Sequence, residues 1–102
     1  MRVFVLFNLK PGVDRDAYER WARATDLPVV NALQSVDEFR VFKAGGLLGS
    51  EGESPYEYIE TLDIGDMDTF GKELATEQMR QVAAEFNEFA DAPVFVRADP
   101  LA

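Results

Sequence analysis

Any chemistry in this chain has to come from carboxyl groups, because the sequence holds neither histidine nor cysteine. Proton transfer near neutral pH and soft-metal ligation draw chiefly on those two side chains. Their absence excludes Ser-His-Asp and Cys-His nucleophiles and leaves Asp, Glu, Tyr and Lys for acid and base work. A carboxyl that serves at neutral pH must be pushed up by desolvation, so an enzymatic reading requires a buried one. The leading candidate is Asp26, in Trp21-Ala-Arg-Ala-Thr25-Asp26-Leu27-Pro28, where an aromatic-bearing helix is expected to stop. A carboxylate there faces the negative end of the helix dipole, a local conflict of the kind that often marks functional sites. The structural alternative is that Asp26 caps the turn that follows.

Glu60 is the second candidate. It lies in an expected strand and shares a side-chain phase with Tyr56, Tyr58 and Leu62. If that face lines a cavity, a neutral Glu60 can pair with a substrate nitrogen; otherwise it forms a cross-strand ion pair with Arg40 or Lys43. Arg40 is accordingly read either as the complement of an anionic ligand group or as the partner of Glu60. Tyr18, Trp21 and Tyr58 offer flat walls for an aromatic ligand, although such residues are most often core. Asn8 can orient a carbonyl or amide, although an Asn before a turn is commonly a structural hydrogen bonder. Asp63, Asp66 and Asp68 form the densest acidic cluster, but their spacing fits no EF-hand loop and helix capping by Asp66 explains it. No metal is expected.

Composition narrows the partners. A formal charge of −9 opposes phosphate backbones and anionic membrane surfaces, so neither nucleic acid nor membrane is expected. No stretch approaches the roughly 20 apolar residues of a membrane span, and the amino-terminal apolar run is too short for a signal peptide. A cytoplasmic location is expected. At 102 residues the chain reads as a single domain, 1–102, small for an enclosed cavity unless it dimerises.

The elements that must position these residues follow from periodicity. Residues 2–8 read as a strand closed by Lys10-Pro-Gly. Asp14 is a plausible N-cap for a helix with Ala17, Tyr18, Trp21 and Thr25 on one face, ending near Asp26. Pro28 is expected to break it, with residues 28–33 forming a separate helical turn. Strands follow over 36–44 and 56–64. They are joined by a glycine-rich loop, 45–55, which lacks the Gly-Lys-Ser/Thr ending of a phosphate loop and reads as a flexible connector. Asp66 opens a helix with Met67, Phe70 and Leu74 on one face. Thr76 caps another that displays Met79, Val82, Ala83, Phe86 and Phe89 and ends near Asp91. Residues 92–97 supply an edge strand, since Pro93 cannot donate a ladder bond. The order βαββαβ is that of a ferredoxin-like α+β domain. Apolar residues of both phases, Val3, Val5 and Phe7 against Phe4 and Leu6, argue that both sheet faces are covered, one of them by a second subunit.

Two patterns carry a family resemblance. Tyr18-x-x-Trp21, Asp26-Leu27-Pro28, Leu33, Ser35-Val36 and Phe39-Arg40-Val41 are similar to the EthD-like pattern, in which a Trp-bearing helix precedes His-x-Pro and a strand; Asp26 stands at the histidine position. Val5-Leu-Phe-Asn-Leu-Lys-Pro-Gly-Val13, Thr25-Asp-Leu-Pro28, Tyr56-x-Tyr-Ile-Glu60 and Asp66-Met-Asp-x-Phe70 resemble the REDY-like (HapK) family of dimeric α/β barrels over nearly the whole chain. The resemblance implies a homodimer and a cofactor-free step in the biosynthesis of prodiginine or related bisindole pigments, a branch of secondary metabolism. The expected function is cyclisation or condensation of an aromatic, nitrogen-containing intermediate by carboxyl acid–base catalysis. Asp26 would transfer the proton, and Glu60 and Asn8 would position polar atoms. The alternatives are a cofactor-free monooxygenase and a non-catalytic carrier of an unstable intermediate.

Overall fold

The computed structural model describes residues 1–102. Its elements run β1 (Arg2–Leu9), α1 (Arg15–Trp21), a π-helical turn (Ala22–Asp26), α2 (Leu27–Asn31), β2 (Val36–Lys43), β3 (Tyr58–Ile64), α3 (Met67–Leu74), α4 (Glu77–Phe89) and β4 (Ala90–Ala98). The four strands form one antiparallel sheet in the order β2-β3-β1-β4, which is the ferredoxin-like α+β arrangement. β4 is an edge strand, as Pro93 requires.

Turn chemistry places the first helix. Pro11 and Gly12 make the corner after β1, with Gly12 at φ 83° and the Val13 amide bonded to the Lys10 carbonyl. That conformation favours glycine. Asp14 then caps α1 by accepting from the Asp16 amide, Asp66 caps α3 and Thr76 caps α4.

Strand alternation decides which face each side chain joins. Val5 is opposite Glu60 and Phe7 opposite Tyr58, so these four point toward the helices together with Val3 and Leu62. Phe7, Tyr18, Tyr58, Val5, Ala22 and Ala90 form one buried cluster, in which the Phe7 and Tyr58 rings stack at 5.5 Å and Tyr18 meets Tyr58 at 4.8 Å. Val30, Val36, Phe39 and Met79 form a second cluster beneath α2 and α4. The other face carries Phe4, Leu6, Phe42, Val94 and Val96, and its apolar residues are only partly covered, with Phe42, Val94 and Val96 exposed.

Four expectations change. The helix does not break at Asp26: the chain stays helical through Pro28 by inserting one π turn, in which the Leu27 amide bonds to the Ala22 carbonyl. A proline inside an α-helix loses its own hydrogen bond and clashes with the carbonyl four residues back, and the wider turn accommodates it. Asp26 is therefore helical (φ −62°, ψ −54°), and its side chain makes no cap bond. β3 begins at Tyr58 rather than Tyr56, while β4 begins at Ala90 rather than Ala92. Arg40 pairs in register with Thr61, one residue out of phase with Glu60, so the two lie on opposite sheet faces. It extends over the Phe42 ring at 4.8 Å instead.

Candidate functional site

A cavity of about 360 Å³ lies between the sheet and helices α2 to α4. Of its 19 lining residues, 15 are hydrophobic, and the polar ones are Asp26, Glu60, Asn87 and Arg97. Apolar walls with a few convergent polar groups are the usual make-up of a small-molecule site. A wider depression under the glycine-rich loop is lined by Arg15, Lys43, Glu51, Glu53 and Glu57, and has the character of solvated surface.

The two elements that bring Asp26 and Glu60 together are unrelated in sequence. Glu60 occupies the centre of β3, where the alternation that buries Tyr58 and Ile64 forces it inward too. Asp26 closes the π turn, whose extra residue sets the direction of its side chain. Each is only 5% exposed. Asp26 makes no hydrogen bond, and Glu60 Oε2 is buried without a partner, as is the Tyr18 hydroxyl beside it. Such orphaned atoms cost free energy, which a ligand that supplies the missing partner would recover.

Burial sets the ionisation. It pushes the Asp26 carboxyl up to about 7. Glu60 is held well above the ordinary carboxyl range, first by burial and then by the neighbouring Asp26 charge. The Tyr18 hydroxyl is driven up by burial and by both carboxyls, which keeps it protonated. Near neutral pH the pair thus combines a protonated acid, Glu60, with Asp26 poised to take up or release a proton. Two carboxyls tuned apart by their surroundings are the means by which such groups share acid and base roles.

The remaining residues singled out in the sequence lie elsewhere. Tyr18 is fully buried in the aromatic cluster, with its hydroxyl near Glu60 but in no hydrogen bond. Tyr58 donates to Glu19 at 2.6 Å, and Trp21 donates to Glu85 at 2.8 Å while its ring packs on Phe86 and Phe89. Asn8 pins the end of β1 to the loop that leads into β3, donating to the Pro55 carbonyl and accepting from the Glu57 amide. Arg40 faces away from the cavity. The walls come instead from residues that read in the sequence as ordinary core: Phe39, Leu62, Phe70, Met79, Val82 and Phe86. Phe95 and Arg97, which also line the cavity, lie in the expected edge strand 92–97, where the sequence does not single them out. Of the acidic cluster, Asp63 pairs with Arg2 and Asp66 is occupied by capping.

Sheet order and helix placement define a small ferredoxin-like α+β protein, here with a buried carboxyl pair in an apolar cavity. The chain belongs to the family described as REDY-like protein HapK, which it matches over residues 1–101. Among solved structures it is similar to HapK from Hahella chejuensis, with 23% identity, TM-score 0.72, and coverage of 100% of this chain and 96% of that one. A dimeric ferredoxin-like protein of unknown function from Thermobifida fusca has 22% identity and TM-score 0.67, covering 93% of this chain and 85% of that one. An EthD family protein from Bacillus halodurans has 14% identity and TM-score 0.67, covering 96% and 97%. At these identities the likeness establishes the fold alone. No curated protein matches the chain. No helix is long and apolar enough to cross a membrane.

Proposed function

We propose that the chain is a cofactor-independent acid–base enzyme that promotes cyclisation or condensation of a small aromatic, nitrogen-containing intermediate. One observation carries this reading: two buried carboxyls, unrelated in sequence, meet at an apolar cavity with no cation to neutralise them. Asp26 accepts a proton from the nucleophilic carbon or nitrogen as it attacks. The Glu60 acid donates a hydrogen bond, and then its proton, to the oxygen or nitrogen of the carbonyl or imine under attack. The apolar walls disfavour water that would compete for the activated group. Family membership supports the secondary-metabolite setting, with bisindole or prodiginine-type intermediates as the compounds to test first. A second copy of the chain is proposed to cover the open sheet face, consistent with the dimeric description of the Thermobifida fusca protein.

The test mixes the protein, and separately folded Asp26→Asn, with such intermediates and follows product mass with oxygen present and absent. Repeated turnover by the native protein alone, independent of oxygen, is expected. Oxygen-dependent product would point to a monooxygenase. Tight binding with equal product from both proteins, or with none from either, would make the chain a carrier.

A further inference from the structure

Arg97 is the single cationic side chain lining the cavity, and it forms no ion pair; the amino-terminal ammonium of Met1, which also lines it, is engaged with the Ile64 carbonyl. Several other cations are already engaged: Arg2 with Asp63, Arg15 with Glu57, Arg23 and Lys43 with Glu19, and Arg40 on the Phe42 ring. In a chain of net charge −9, a free guanidinium beside an apolar cavity is a local reversal of sign.

Register fixes where it stands. Arg97 is opposite Val3, which is opposite Leu62; one same-face row along, Phe95, Val5 and Glu60 stand in line. With strands about 4.8 Å apart and same-face rows about 6.8 Å apart, the Cα atoms of Arg97 and Glu60 are about 12 Å apart. Val3, Val5, Leu62 and Phe95 pave the strip between them. Burial, Asp26 and Tyr18 govern the ionisation of Glu60, and Arg97 takes no part in it. The cation and the acids thus act on opposite ends of whatever lies along the strip. Phe95 is 61% exposed and gives the open end an aromatic lip.

We propose that Arg97 selects an amphipathic acid: a ligand whose anionic group is held at the rim while its apolar body lies along the strip and an uncharged acceptor reaches Glu60. The proposal rests on the reading of this cavity as a ligand site and adds the charge of its ligand. A planar guanidinium suits a carboxylate, which it can bind through two parallel hydrogen bonds.

The test compares calorimetric binding of 2-naphthoate and its uncharged counterpart 2-naphthamide at pH 7.5. The native protein is expected to favour naphthoate by about fivefold, the size typical of a solvent-exposed ion pair. Arg97→Gln should abolish the preference, Arg97→Lys should keep part of it, and amide affinity should stay level across all three, which shows that the cavity is intact. Equal affinity of the native protein for both probes, a preference that survives Arg97→Gln, or no binding of either probe up to its solubility limit would overturn the proposal. Asp26→Asn separates this idea from the catalytic one. Preserved charge preference without turnover of any intermediate, by native protein or variant, would sink the acid–base reading alone, whereas oxygen-independent turnover without charge preference would sink the role of Arg97 alone.

Discussion

Replacing Asp26 by Asn should change how stability depends on pH, because the buried acid is held neutral at a cost that grows as the solution becomes less acidic. The Asp26 carboxyl titrates near 7 in the fold against an ordinary 3.8. Below pH 3.8 it is protonated in both folded and unfolded chains and imposes no pH dependence. Between 3.8 and 7 the unfolded chain releases the proton while the folded chain retains it, so stability falls by about 1.4 kcal/mol per pH unit. Above 7 both states are ionised and the loss levels off at about 4 kcal/mol. Asparagine keeps the shape and removes the titration. Its advantage over the native side chain should therefore grow by about 3 kcal/mol between pH 5 and pH 8. Urea unfolding followed by the fluorescence of Trp21, the single tryptophan, measures this directly. The other carboxylates cancel in the comparison, except that losing the Asp26 charge also eases ionisation of Glu60, which acts in the same direction above pH 7. Stability curves of the two proteins that run parallel from pH 5 to pH 8 would refute the claim that Asp26 is buried without compensation.

Glu60→Gln removes the acid while leaving the strand intact; turnover should drop by about 10²-fold or more, with binding of a neutral aromatic ligand little changed, as steady-state kinetics and calorimetry would show. Pro28→Ala restores the missing amide and lets the π turn relax toward regular helix. The Asp26 carboxyl should then rotate out of the cavity and titrate closer to 3.8, which carbon-detected NMR of the side chain would report. Phe7→Ala opens a hole where the Tyr18, Tyr58 and Phe86 rings meet, and should cost about 3–5 kcal/mol in chemical denaturation.

The sequence determined the elements and their order. Period-2 alternation in β1 and β3, the Pro11-Gly12 corner, and the caps at Asp14, Asp66 and Thr76 are local signals, and each appears where its chemistry requires. It also showed that carboxyls must carry any acid–base chemistry, because no histidine or cysteine is present. Element boundaries near Pro28 were less legible. A proline ordinarily ends a helix, and whether a π turn absorbs it instead depends on packing beyond the local sequence. Only the tertiary structure decided which residues share the cavity. Asp26 and Glu60 meet because the π turn packs on the sheet face to which β3 directs Glu60, while Arg40, read from the sequence as a partner for Glu60 or for an anionic ligand group, falls on the opposite face by one step of strand register. Tyr58, Trp21 and Asn8 were spent on structure, since a buried hydroxyl, indole or amide must find a partner and theirs were Glu19, Glu85 and the loop backbone. Arg97 became visible as a rim residue only once pairing with Val3 set it beside the apolar strip, because strand neighbours distant in the chain are chosen by register and burial rather than by spacing.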